Sequence, residues 1–69
     1  MVNLMPHEKV LCAVRDAIEE SGMSIKELSE HTFIPYASLH RKLLGRYEFN
    51  VSELYSVASA LDREVSDFL

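Results

Sequence analysis

Apolar residues recur every three or four positions in short runs, and the runs are separated by proline, glycine or a capping residue. That spacing predicts a series of amphipathic helices. Pro6 suits the first turn of a helix, where its missing N–H would have no partner anyway. From Pro6 to Ser21, the residues Val10, Leu11, Val14, Ala17 and Ile18 fall within one arc, with Arg15, Asp16 and Glu19 opposite. Gly22 stands where a helix end favours a left-handed residue. Ser24 and Glu27 have the spacing of a capping box, so a short helix is predicted over 25–32. Ile25, Leu28, Ser29 and Thr32 share its inner face, and the small Ser29 suggests close approach of another element.

Pro35 restarts the chain after Phe33 and Ile34, predicting a third helix over 36–44 that stops at Gly45. After a loop at 46–49, Asn50 and Glu53 form a second cap and box pair. A fourth helix follows over 51–61, with Val51, Leu54, Tyr55, Val57, Ala58 and Leu61 expected along one side. Asp62 and Arg63 break it, and 65–69 are expected to add a fifth, short helix. The expected fold class is therefore all-α, a compact five-helix bundle. Its second and third helices, joined across a tight turn at 32–35, have the layout of a helix-turn-helix unit.

Length and composition narrow the function classes. Sixty-nine residues make one small domain, 1–69, and 48% apolar content is too high for a disordered tail. The single cysteine, Cys12, has no internal partner, which favours a reducing, cytoplasmic setting. It lies on the polar side of the first helix and reads as an ordinary small residue rather than a nucleophile. No apolar run approaches the roughly 18 residues of a membrane span. The first six residues lack the basic start and apolar core of a signal peptide. His7, His31 and His40 are far apart, no His or Cys pair has metal-ligand spacing, and there is no Gly-rich phosphate loop. An enzyme is not expected, nor a metal, a cofactor or a small-molecule substrate.

The net charge of −4 argues against nucleic acid, but its distribution does not. From His31 to Tyr47 there is no Asp or Glu, while Arg41, Lys42 and Arg46 are basic and His31 and His40 add imidazoles. All 11 acids lie in the rest of the chain. A basic segment centred on one helix of an otherwise acidic protein has the form of a phosphate footprint. On a wheel started at Tyr36, Leu39 lies at about 300° and Leu43 at about 340°, facing the core, while Arg41 lies nearly opposite at about 140°. Ala37 and Ser38 flank Arg41. The outward face thus offers small residues for close approach and a guanidinium fork that matches guanine O6 and N7.

From Gly22 to Gly45, the segment GMSIKELSEHTFIPYASLHRKLLG resembles the helix-turn-helix of the lambda-repressor-like family. FNVSELYSVASAL (49–61) is similar to that family's fourth helix and VSDFL (65–69) to the start of its fifth, so the likeness covers roughly residues 8 to 69. It implies a sequence-specific, duplex DNA-binding transcriptional regulator, a phage or bacterial repressor or Cro-like protein, with the third helix in the major groove. By this resemblance Tyr36, Ala37, Ser38 and Arg41 match base-facing positions. Ser24, His40, Lys42 and Arg46 match positions where phosphate contacts are usual. Family members often bind paired half-sites, implying a weak homodimer or a dimer formed on DNA, with Phe68 and Leu69 as the candidate seam.

The chain departs from the family pattern at three places. Phe33 stands where a glycine of positive φ is usual, so the turn there should be either strained or remodelled. Asp62 replaces another turn glycine, and Ile25 replaces a polar residue that would reach phosphate. The alternative reading is a protein-binding module, an antirepressor or host-partner binder, on the same scaffold without DNA readout. Its motivation is the acidic surround together with the apolar ends, Met1, Val2, Leu4 and Met5 at one and Phe68 and Leu69 at the other.

Overall fold

A computed structural model describes residues 6–69, with side chains from Glu8 onward. Met1, Val2, Leu4, Met5 and the His7 side chain lie outside the described residues. Four α-helices, α1 (Pro6–Ser21), α2 (Ile25–Thr32), α3 (Tyr36–Leu43) and α4 (Val51–Ala60), are followed by a 3₁₀ turn over Val65–Phe68. The chain is all-helical among the described residues, and the expected fifth helix is this single turn.

Helix boundaries follow local chemistry. The Ser24 hydroxyl accepts from the Glu27 N–H at 3.1 Å, and the Glu27 carboxylate accepts from the Ser24 N–H at 3.3 Å. Asn50 and Glu53 make the same reciprocal pair at 2.7 and 2.9 Å. Each box satisfies two backbone donors that a helix start leaves without partners. Gly22 takes φ 72° after α1, and Gly45 takes φ 85° after α3. At Gly45 the chain closes α3 with two bonds, Gly45 N–H to the Lys42 carbonyl at 3.0 Å and Arg46 N–H to the Arg41 carbonyl at 3.1 Å. Asp62, with φ 57°, ends α4 in the same way, its N–H bonded to the Ser59 carbonyl and that of Arg63 to Ala58. Asp tolerates this left-handed conformation better than most side chains do.

The core collects Val14 and Ala17 of α1, Leu28 of α2, Ile34 of the connection, Leu39 and Leu43 of α3, Leu54, Val57 and Ala58 of α4, Leu61 and Phe68. Val10, Leu11 and Ile18 pack half-buried against it, as does Ile25. α2 packs on both α3 and α4, while the terminal 3₁₀ turn packs on α1 and α4.

Two expectations about faces are corrected. Val51 and Tyr55 are 67% and 62% exposed and do not join the apolar side of α4. With Val51 taken as the origin of the wheel, Leu54, Val57 and Ala58 occupy about 240° to 340°, whereas Val51 and Tyr55 sit beyond that arc at about 0° and 40°. Phe68 is 2% exposed and belongs to the core, so only Leu69 of the candidate seam lies on the surface. Phe68 is buried within the 3₁₀ turn that packs on α1 and α4.

Candidate nucleic-acid interface

Three residues, Phe33, Ile34 and Pro35, connect α2 to α3. Phe33 adopts φ 60° and ψ 19°, and its side chain is 92% exposed. Of the two outcomes expected there, the turn therefore keeps the left-handed geometry and carries its strain. Next to it, the buried Thr32 hydroxyl donates to the Leu28 carbonyl at 2.8 Å and accepts from the Ile34 N–H at 3.3 Å. Ile34 then enters the core. A backbone donor freed by the end of α2 is thus satisfied inside the protein, and the chain direction is set before Pro35 starts α3.

Leu39 and Leu43 anchor α3, being 0% and 6% exposed. The opposite face presents Ala37 and Arg41, both exposed, with Ser38 half-buried at its edge, while Tyr36, exposed in the first turn, lies on the Leu43 side of the wheel. The structure therefore groups Ala37, Ser38 and Arg41 on one surface and sets Tyr36 to its side. The Tyr36 ring stacks on His40 one turn later, with centroids 6.1 Å apart and planes at 12°. This pairing went unnoticed in the sequence although the four-residue spacing signals it. A shallow cleft of about 390 Å³ beside this face is lined by Ser38, Arg41, Lys42, Tyr47 and Glu48. Glu48 brings an acid to the edge of the basic segment.

The four expected phosphate-facing residues differ in their surroundings. His40 and Arg46 are exposed. The hydroxyl of Ser24 is committed to its cap. Lys42 is committed as well, forming an ion pair with Glu53 of α4, the two side chains being 16% and 19% exposed. Its ammonium also lies 6.0 Å from the centre of the Phe49 ring. At about 240° on the α3 wheel, Lys42 borders the core rather than the outer face. Burial raises the pKa of Glu53, but the Lys42 hydrogen bond, the bond from the Asn50 N–H and the Lys42 charge outweigh it and hold the carboxyl below its ordinary 4.5.

A further contact absent from the sequence reading comes from α1. The Arg15 guanidinium donates to the Leu43 carbonyl at the end of α3. A cation there satisfies a free carbonyl and complements the negative end of the helix dipole. It also ties α3 to the scaffold. Among the described residues no three His, Cys, Asp or Glu side chains gather to hold a metal ion, and Cys12 is exposed. No described helix is long and apolar enough to cross a membrane.

Comparison of the chain with protein-family models, with curated proteins and with solved structures yields no significant match.

Proposed function

We propose that the protein is a sequence-specific duplex DNA-binding transcriptional regulator, of the lambda-repressor-like helix-turn-helix type, that inserts α3 into the major groove. The observation that carries this reading is the outer face of α3. Ala37, Ser38 and Arg41 share one surface, Tyr36, His40 and Arg46 lie exposed around it, and no acid interrupts the segment from His31 to Tyr47. A helix face that is small at Ala37 and Ser38 can approach base edges closely, and Arg41 supplies a bidentate donor. Backbone geometry supports the same reading, since the bonds around Gly45 fix where Arg46 leaves α3.

The test is selection of bound duplexes from a random library, followed by titration of the enriched site against a scrambled one. A reproducible motif bound at least a hundredfold more tightly than scrambled DNA is expected. Failure to bind any duplex at low salt would overturn the reading. The second reading, a partner-binding module without DNA readout, is favoured by the exposed Phe33 and Tyr55, which lie outside the α3 face. It becomes the better one if no duplex is retained.

A further inference from the structure

α3 packs on α2, and α1 packs on the terminal turn, so α1 and α3 meet at few points. Between α1, the start of α2 and the end of α3 lies an open cleft of about 270 Å³. Its walls are aliphatic, supplied by Ile18 of α1, Ile25 of α2, and Leu43 and Leu44. Leu44 is 52% exposed there. Two opposite charges, Arg15 and Glu19, stand at the rim, one turn apart on α1. Side chains at that spacing can meet, yet these two are not paired with each other. The Arg15 guanidinium is turned to the Leu43 carbonyl, which uses one of its N–H donors and leaves the others available. The Glu19 carboxylate has no ion-pair or hydrogen-bond partner among the described residues.

We propose that this cleft binds a free apolar α-amino acid, with the carboxylate on Arg15, the ammonium on Glu19 and the side chain against the aliphatic walls. Charge selects the occupant. An uncharged apolar molecule would leave both rim groups unused. A simple carboxylate would meet Arg15 but also the like charge of Glu19, and a simple amine would meet the reverse. A zwitterion carries both charges on one carbon and answers both groups at once, through charge-assisted hydrogen bonds. A protein terminus carries only one of the two charges, so a docked chain end does not satisfy the site. The walls then favour a branched aliphatic side chain over a polar one, since its burial covers Leu44 as well as itself.

The make-up is that of a ligand site, mostly apolar with a few convergent polar groups. Arg15 is already tethered by the Leu43 carbonyl, so little freedom is lost when it takes up a carboxylate. His40 borders the cleft on the α3 side, its ring held by the stack on Tyr36. The volume lies just below the roughly 300 Å³ from which ligand pockets usually start, which suits a small molecule and a dissociation constant on the order of 0.1–1 mM. Ala37, Ser38 and Arg41 do not line the cleft, so the inference stands whether or not the protein binds DNA.

L-leucine is the probe, titrated into the full chain up to about 20 mM while backbone amide resonances are followed by NMR. Saturable shifts are expected around Arg15 to Glu19, at Ile25 and at Leu43 and Leu44. Isocaproate, which lacks the ammonium, and isoamylamine, which lacks the carboxylate, should each bind about tenfold more weakly. Glu19→Gln should weaken L-leucine by about tenfold and leave isocaproate no weaker, a split that mere loosening of the fold would not produce. Leu44→Ala should weaken L-leucine and isocaproate alike, and circular dichroism confirms that both variants are folded. Absence of saturable shifts at these residues would overturn the inference. So would isocaproate binding as tightly as L-leucine, or glycine doing so, since the rim or the walls would then play no part.

Discussion

Lys42 and Glu53 are paired where α3 meets α4, so one of the three cations in the basic segment is already partnered inside the protein. The charge available to phosphate is smaller than the residue count suggests. If α3 enters the groove, log K should fall against log salt with a slope of about −2 per subunit, shallower than the −3 that a free Lys42 would give. Glu53→Gln keeps an acceptor for the capping box but releases Lys42. The variant should steepen the slope by about one, measured by fluorescence titration at four or more salt concentrations. An unchanged slope would show that Lys42 does not face phosphate even when released.

The same pair makes stability depend on pH. The carboxyl of Glu53 is held below 4.5 in the folded chain, so the unfolded chain takes up the proton first. The stabilisation is complete above about 4.5 and is lost as the pH falls through the lowered folded value. With both side chains mostly covered, the pair should contribute about 1 kcal/mol at pH 7. Denaturant melts of the protein and of Glu53→Gln should differ by that amount at pH 7 and converge once the pH has fallen below the lowered folded value of Glu53. A constant gap would assign the effect of Gln to packing.

Phe33 combines a left-handed backbone with a side chain in solvent. Relief of that strain by Phe33→Gly is opposed by the greater freedom of glycine in the unfolded chain, and the ring has almost no packing to lose. The expected change lies within about 1 kcal/mol of zero, on the stabilising side. A loss above about 3 kcal/mol, read by urea denaturation, would mean that the ring is buried.

Arg41 and Arg46 should separate base reading from attraction. Arg41→Ala is expected to cost about 1–3 kcal/mol on the preferred site and to relax the preference at one base pair, a G·C pair. Arg46→Ala should weaken binding about equally on every sequence and reduce the salt slope by about one. Titration of both variants against each single-base substitution of the site makes the comparison. Equal, sequence-independent losses would make Arg41 a phosphate contact only.

The two C-terminal residues predict opposite outcomes. Phe68→Ala empties a core position and should cost about 3–5 kcal/mol, a large share of the stability of so small a domain. Leu69→Ala, at an exposed position, should stay within about 0.5 kcal/mol. Thermal melts of the two variants give the comparison.

What was legible in advance was local. The boxes at Ser24 and Asn50 need partners only three residues away, and the left-handed residues at 22, 33, 45 and 62 declare themselves where a helix must stop. Leu39, Leu43 and the outward Arg41 follow from a single helical period. What was missed depends on how helices meet. Lys42 looked like a surface cation until α4 brought Glu53 to it, and Arg15 looked solvated until α1 was laid beside the end of α3. Tyr55 and Phe68 exchanged expected places because the apolar face of a helix is wider or narrower than its partners allow. For that reason the α3 face could be read from sequence, while the supports that hold it and the α4 face could not.

The burial of Phe68 also bears on when the molecule can finish folding. Its ring belongs to a terminal turn that packs against α1, the helix at the other end of the described chain. α2, the connection and α3 are neighbours in sequence and can associate early, since nearby contacts close quickly. The packing between those two elements is long-range in sequence and needs the last turn to be in place. Until that contact forms, the apolar positions of α1 and α4 that the last turn covers stay open to solvent. A nascent chain halted before residue 68 would be a substrate for chaperones and proteases rather than a shorter working protein.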